Sequence, residues 1–112
     1  MASYTADQLY GSGTYAEALS GTLTFTFNNP SKGAAYFILE SITDNEGNYI
    51  SNDVAKGIYS LDSGLEGLVT SSFVAGVVVK PGVHSMVMEA DASTPISGSI
   101  LRTTGGISLT IN

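Results

Sequence analysis

The clearest pattern along the chain is the alternation of apolar and polar residues between Thr22 and Phe27. Leu23, Phe25 and Phe27 fall on one side of an extended chain, and three threonines fall on the other. Alternation with a period of two residues is typical of a strand that has one face buried and one face in water. The pattern therefore predicts a β-strand over 22–27.

Further strands are predicted where apolar runs lie between turn-forming residues. The run 34–42 follows the turn residues 28–33, and we expect it to be the neighbour of the strand 22–27. The long run 68–80 is predicted to be one strand with a bulge or bend at Gly76. The other predicted strands are 49–51, 57–61, 83–89, 96–103 and 107–111.

About seven to eight short strands separated by turns predict an all-β fold, either a β-sandwich, a jelly-roll-like domain or a small barrel. A chain of 112 residues is the size of a single domain. We divide it into an N-terminal arm, 1–20, and a β-sandwich domain, 21–112.

The arm carries only short helical signals. Thr5 and Gln8 have the spacing of a capping box, Gly11 is suited to end that turn, and 15–19 is suited to form one more turn. Pieces this short are stable only when packed. We therefore expect the arm to be frayed or docked, and if docked to lie on its own domain or on a neighbouring subunit. Its interface candidates are Tyr4, Leu9, Tyr10, Tyr15 and Leu19.

The composition favours a surface of uncharged polar groups. Charged residues make up 12% of the chain, against about 25% in an average protein. The chain holds 15 Ser, 11 Thr and 13 Gly. Hydroxyls and backbone cost less to desolvate than ammonium or carboxylate groups, so such a surface is easily packed against another protein. This favours a protein that assembles, with a homo-oligomer as the expected state.

The scarcity of basic residues argues against several partners. The net charge is −6, and the basic residues Lys32, Lys56, Lys80 and Arg102 are dispersed. Nucleic acids and anionic membrane surfaces are bound by clustered Lys and Arg, so we expect neither partner. No apolar run is long enough to cross a bilayer, and no secretory signal is expected. The absence of cysteine excludes disulfides and thiolate sites from this sequence.

The sequence contains few residues that could support catalysis. The only histidine, His84, lies on the predicted strand 83–89, where it shares a face with Met86 and Met88 while Ser85 points the other way. The chain has neither a Gly-x-Ser-x-Gly elbow nor a phosphate-binding glycine loop. We therefore interpret His84 as a structural residue and expect neither an enzyme nor a cofactor.

Two weaker candidates for ligand binding remain open. Asp44, Glu46 and Asn48 place oxygen ligands at alternate positions around a glycine, although the spacing departs from a calcium loop and a plain hairpin turn is the better interpretation. Tyr49 and Tyr59 lie beside turns and are ligand candidates for stacking on sugar rings. Together they support an alternative function, a carbohydrate-binding or adhesive β-sandwich.

Three segments and the overall composition together suggest a resemblance to a known class of proteins. The arm segment 8–14, the loop 44–53 and the ending 104–112, together with the composition, resemble small structural proteins of tailed-bacteriophage virions. The resemblance implies a β-rich protein that decorates or cements the capsid, or belongs to the tail or a fibre. It implies capsid or tail subunits as partners, a symmetric oligomer, and a location in the virion after synthesis in the host cytoplasm. It assigns no site residue.

Overall fold

A computed structural model of the chain describes residues 2–9, 16–19, 21–41, 46, 57–70, 74–90, 96–103 and 106–112. Within these ranges the chain forms ten strands and one helix of a single turn. The strands are β1 (Ala2–Tyr4), β2 (Ala16–Leu19), β3 (Gly21–Asn29), β4 (Ala35–Ser41), β5 (Gly57–Leu61), β6 (Leu65–Thr70), β7 (Val74–Val79), β8 (Gly82–Ala90), β9 (Ile96–Thr103) and β10 (Ser108–Ile111), and the helix α1 is Ala6–Leu9.

The strands form two five-stranded antiparallel sheets. Sheet A has the order β1-β10-β3-β8-β5, and sheet B has the order β2-β9-β4-β7-β6. The all-β fold predicted from the sequence is therefore confirmed. Eight of the strands, β3 to β10, lie in the predicted sandwich domain, and the arm contributes β1 and β2.

The core lies between the two sheets and is built from the alternating faces of their strands. Leu23, Phe25 and Phe27 of β3 are at most 8% exposed, as the alternation predicts. Phe37 of β4 faces them across the core, with its ring centroid 4.9 Å from that of Phe27. The tilted arrangement of these rings is one that aromatic pairs prefer. Burial of large rings from both sheets is what holds the sheets together.

The expectation that the strands at 22–27 and 34–42 are neighbours was wrong. β3 pairs with β10 and β8, whereas β4 pairs with β7 and β9 in the other sheet. The connection 30–34 therefore crosses the sandwich instead of closing a hairpin. The physical reason is that Phe27 of β3 packs against Phe37 of β4 across the core, and that the side chain of Asn29 donates hydrogen bonds to the connection and to β7.

A buried asparagine fixes this crossing. Asn29 is 1% exposed, and its side-chain amide donates hydrogen bonds to the carbonyl oxygens of Gly33 and Val79, each at 3.0 Å. Its Oδ1 accepts from the backbone N–H and the hydroxyl of Ser31. A buried amide is tolerated because its hydrogen-bonding groups find partners. Asn29 thereby joins β3, the connection 30–34 and β7.

The run 68–80 forms parts of two strands instead of one. β6 and β7 are antiparallel neighbours. Because the chain folds back between them, Val77 and Val79 of β7 are buried in the same core as Leu65 of β6. The bulge lies in β6, where the register shifts between Glu66 and Val69, and not at Gly76. Strands usually have about 5–6 residues, and a single strand over the whole run 68–80 would be far longer than that.

The described parts of the arm lie on their own domain. The capping box is confirmed, because Thr5 N donates to Gln8 Oε1 at 2.9 Å and Gln8 N donates to Thr5 Oγ1 at 3.3 Å. The second predicted turn, at 15–19, was wrong: Ala16–Leu19 is β2, paired with β9. Pairing with β9 outweighs the preference of Ala, Glu and Leu for a one-turn helix that is unstable alone.

The remaining strand predictions differ little from the structure. β5, β8, β9 and β10 correspond to the predicted strands 57–61, 83–89, 96–103 and 107–111. The predicted strand 49–51 lies outside the described residues. Over the part of the chain that the structure describes, no helix is long and apolar enough to cross a membrane.

Candidate functional site

The outer face of sheet B carries a group of exposed apolar side chains. Tyr36 on β4 lies opposite Val78 on β7, while Ile38 and Val69 flank Gly76 on either side. Tyr36 is 55% exposed and Val69 is 64% exposed. Ile38 and Val78 are half-buried. We call these four residues, Tyr36, Ile38, Val69 and Val78, the apolar face.

Gly76 lies between two residues of the apolar face, Ile38 on β4 and Val69 on β6. A Cβ built on Gly76 would lie 3.7 Å from Ile38 Cγ1 and 3.3 Å from the carbonyl oxygen of Phe37. The side chain of Ile38 therefore lies beside the bare backbone of β7. Because Gly76 contributes no side chain of its own, bare backbone lies between Ile38 on one side and Val69 on the other.

A salt bridge lies at the border of the apolar face. Glu66 is opposite Val78 in the register of β6 and β7, and its Oε2 is 3.5 Å from the Nζ of Lys80. Both side chains are exposed, so the pair adds little stability. Its two charges compensate each other next to an apolar surface.

The sheet edges are poorly suited to pairing with another strand. Among the described strands, β1 and β5 are the edges of sheet A, and β2 and β6 are the edges of sheet B. Register shifts interrupt the pairing of β2, β5 and β6, and β1 is three residues long. Bulges and short edge strands are devices by which proteins avoid edge-to-edge association. The described edges therefore offer little regular backbone to an added strand.

The outer face of sheet A is of a different kind. Ser3, Thr110, Thr26 and Ser85 lie opposite one another in a row across four strands, β1, β10, β3 and β8. We call these four residues the hydroxyl row. Val83, on the same face, is 65% exposed. The described outer face of sheet A is thus rich in hydroxyls, whereas that of sheet B carries the apolar face together with Glu66 and Lys80, and Arg102 lies opposite Ile38 in the register of β9 and β4.

His84 lies at the end of the core where β5 connects to β6. Met86 and Met88, which lie on the same face of β8 as His84, are 2% and 0% exposed, so this face of the strand is the one that points into the core. His84 Nδ1 is 3.2 Å from Asp62 Oδ1, and its Nε2 is 2.8 Å from the carbonyl oxygen of Pro81. The ring therefore contacts the β5–β6 connection with one nitrogen and the β7–β8 connection with the other.

Asp62 is the centre of this cluster. Its Oδ1 accepts a hydrogen bond from Gly64 N at 2.8 Å, and its Oδ2 accepts one from Ser85 N at 2.6 Å. Partial desolvation raises the pKa of Asp62, but the N–H groups of Ser85 and Gly64, together with His84, outweigh it and lower the pKa below 3.8. The ionised carboxylate thus ties the β5–β6 connection to β8.

The ring nitrogens of His84 both contact the protein's own chain, as in a structural histidine. A catalytic histidine needs one ring nitrogen facing a nucleophile, and Nε2 faces the carbonyl oxygen of Pro81. Ser85 lies on the opposite face of β8, in the hydroxyl row. These contacts support the interpretation of His84 as a structural residue.

Two of the arm's interface candidates belong to the core of their own chain. Tyr4 is 7% exposed and Leu9 is 0% exposed. In this arrangement they offer almost no surface to a partner, because the arm is folded onto β9 and β10. Leu19 lies in β2, but its side chain is outside the described part of the structure. Tyr10 and Tyr15 lie outside the described residues altogether.

The candidates for calcium and sugar binding fall mostly outside the described residues. Asp44, Asn48 and Tyr49 are not described, and Glu46 is an exposed turn residue. Tyr59 lies in β5 at a register shift, with its side chain outside the description. Over the described residues, no group of three or more His, Asp or Glu side chains is placed to hold a metal ion. Both ligand hypotheses stay predictions.

Sequence reasoning missed the apolar face and Asp62. The residues of the face come from three strands, and only the pairing register brings them together. Asp62 had a local signal, since Asp62-Ser63-Gly64 is a sequence typical of a turn in which the aspartate accepts a backbone N–H two residues on.

Comparison with known proteins adds no family to these observations. No protein-family model, no curated protein and no solved structure matches the chain.

Proposed function

We propose that the protein is a non-catalytic structural component that binds other protein subunits through the apolar face of sheet B. The observation that carries the proposal is the exposure of Tyr36 and Val69 on the same outer face of sheet B. Single scattered apolar residues are normal on a protein surface, but large ones grouped on one face favour association.

The energetics of the apolar face favour burial. Fully covering a valine-sized side chain contributes about 1.5–3 kcal/mol relative to leaving it in water. Tyrosine is enriched at interfaces, because its ring buries a large area while the hydroxyl keeps a polar contact. The compensated pair of Glu66 and Lys80 suits the polar rim that surrounds the centre of most interfaces.

The sheet edges support docking by a face. With bulged or very short strands at the described edges, addition of a partner strand would leave backbone groups unpaired. Side-chain packing on a sheet face needs no such pairing. The low charge of the sequence also favours docking by a sheet face, since few charged groups have to lose water on association.

The setting proposed for this role is a tailed-bacteriophage virion, with capsid or tail subunits and further copies of the chain as partners. The support for this setting is the resemblance of the sequence to small structural proteins of such virions. The face-docking proposal rests on Tyr36, Ile38, Val69 and Val78 and stands apart from the setting.

Two valines provide a matched test. Val69→Asp places a charge on the apolar face, whereas Val83→Asp places the same charge on the outer face of sheet A at nearly equal exposure, 64% against 65%. We expect the purified wild-type chain and Val83→Asp to self-associate in sedimentation equilibrium, and Val69→Asp to self-associate much more weakly. A desolvated unpaired charge is strongly unfavourable, so the loss of association should exceed tenfold.

Other outcomes would overturn the proposal. If Val83→Asp dissociates the oligomer and Val69→Asp does not, the docking surface is the hydroxyl-rich face of sheet A. If the wild-type chain is a monomer at every concentration and is absent from virion fractions, the assembly role and its proposed setting are both wrong.

A further inference from the structure

The described arm contacts the sandwich through a three-residue strand, a one-turn helix and two deeply buried side chains. β1 pairs with β10 only over Ala2–Tyr4, in the register Ala2↔Ile111 to Tyr4↔Leu109. The helix α1 then packs against β9 and β10, so that the segment 2–9 spans both sheets on one side of the sandwich. Tyr4 and Leu9 complete the core there.

The backbone pairing of β1 and the buried side chains of Tyr4 and Leu9 contribute differently to the docking of the arm. A three-residue edge strand contributes little pairing of its own, in contrast to β3 and β8, which are paired from Gly21↔Ala90 to Asn29↔Gly82. The side chains of Tyr4 and Leu9, by contrast, fill space that would otherwise be an apolar cavity between the sheets. The pairing of β1 alone therefore does little to hold the arm, whereas an empty arm site would leave an apolar cavity.

We propose that the segment 2–9 exchanges between copies of the chain, so that the arm of one copy occupies the arm site of a second copy and the second returns its own. A second copy is the occupant that fits, because it brings the same tyrosine, the same leucine and the same capped turn in the same register. The exchanged pair remakes the contacts of the single chain.

Exchange becomes favourable where copies are crowded. Within one chain the arm has a high effective concentration at its own site, so the single chain keeps its arm when dilute. In an assembly, neighbouring arm sites compete with it. The inference does not depend on the apolar face, since Ser3 and Thr110 lie on the outer surface of the other sheet.

The sequence offers a clean cross-linking test, because it contains no cysteine. Ser3 and Thr110 are register partners of β1 and β10. Residues opposite each other in antiparallel strands have Cα atoms about 4.5–5.5 Å apart, which is within the range that a disulfide bridges. A Ser3→Cys chain is mixed with an affinity-tagged Thr110→Cys chain over a range of concentrations, and the mixture is oxidised.

The same row of the sheet provides the control. Thr26 and Ser85 are register partners of β3 and β8, neither of which belongs to the arm. A Thr26→Cys chain mixed with a tagged Ser85→Cys chain measures random intermolecular oxidation. The two double variants, Ser3→Cys with Thr110→Cys and Thr26→Cys with Ser85→Cys, show whether each pair is close enough to bridge.

We expect the Ser3→Cys and Thr110→Cys mixture to give a mixed disulfide dimer that increases with protein concentration and exceeds the control mixture at least fivefold. Both double variants should form disulfides. If the arm mixture gives no more mixed dimer than the control while its double variant forms only an intrachain bridge, the arm stays on its own chain and the proposal is wrong. A double arm variant that forms no bridge overturns the β1–β10 pairing on which the proposal depends. Either result leaves the Val69→Asp test of the apolar face unaffected.

Discussion

The imidazole ring of His84 lies directly over the α-carbon of Gly64. A Cβ built on Gly64 would be 2.0 Å from His84 Nδ1 and 2.2 Å from its Cγ, far closer than atoms approach without bonding. The ring thus occupies the space of the missing side chain. Glycine is required at this position by close packing and not by an unusual backbone angle.

Gly64→Ala should destabilise the fold by displacing this ring. Because Cγ of His84 is among the clashing atoms, the whole ring has to move, and its contacts with Asp62 and Pro81 are lost together. Overpacking of this kind costs about 1–3 kcal/mol. Urea denaturation at pH 7 measures the change in the free energy of unfolding.

Gly33 provides the matched control for this substitution. A Cβ at Gly33 has nothing within 4 Å, so Gly33→Ala should change stability by less than about 0.5 kcal/mol. In a His84→Ala background, Gly64→Ala should lose most of its effect, because the ring that it displaces is gone. Equal costs with and without the ring would show that His84 is not the reason for the glycine.

Asp62→Asn should remove part of the acid dependence of stability. The pKa of Asp62 is lowered in the folded chain, where Ser85 and Gly64 donate to the ionised carboxylate. A lowered pKa means that the unfolded chain binds the proton more tightly than the folded chain does. The stabilisation is therefore present above the unfolded pKa of about 3.9 and is lost as pH falls through the lower folded pKa.

The measurement is urea denaturation of wild type and Asp62→Asn between pH 2 and pH 7. Wild type should be the more stable protein at pH 7, and the difference should shrink progressively below pH 4. The carboxylate is 39% exposed, so solvent screening keeps the effect modest. A difference that stays constant down to pH 2 would exclude the carboxylate charge as its source.

Local features of the fold were predictable from the sequence where neighbouring residues determine them. The burial of Phe25 and Phe27 follows from the alternation along β3, and the capping box of Thr5 and Gln8 follows from a three-residue spacing. Both depend on geometry within one strand or one turn, which sequence order specifies directly.

The pairing of strands was not predictable in the same way. Nothing within 22–42 distinguishes a hairpin from a crossing, since both bury the same apolar residues. What decides between them is packing across the core, in which Phe27 meets Phe37, and the hydrogen bonds of Asn29 to distant backbone. The apolar face was missed for the same reason, because Val69 and Ile38 become neighbours only through Gly76 of β7.

Asn29→Ala should be among the most costly polar substitutions in this protein. It removes the donor to Gly33 and Val79 and the acceptor for Ser31, at a site that is 1% exposed. Leaving a buried hydrogen-bonding group unsatisfied costs about 1–3 kcal/mol; the bond to Val79 is buried, whereas Gly33 and Ser31 are exposed and can bond to water, so a total loss of about 2–4 kcal/mol is expected. Asn28, the preceding residue, is exposed, and Asn28→Ala should change stability by less than about 0.5 kcal/mol.

Asn28 and Asn29 lie on opposite faces of β3, so comparing the two substitutions separates the effect of burial from the effect of residue type. Urea denaturation gives the free energies of unfolding, and amide hydrogen exchange locates the change. With Asn29→Ala, protection should fall first at the residues of β3, the connection 30–34 and β7 that the side chain joins. Similar costs at the two positions would mean that the amide of Asn29 does not hold the crossing between the sheets, and the connection 30–34 would then be fixed by the apolar core alone.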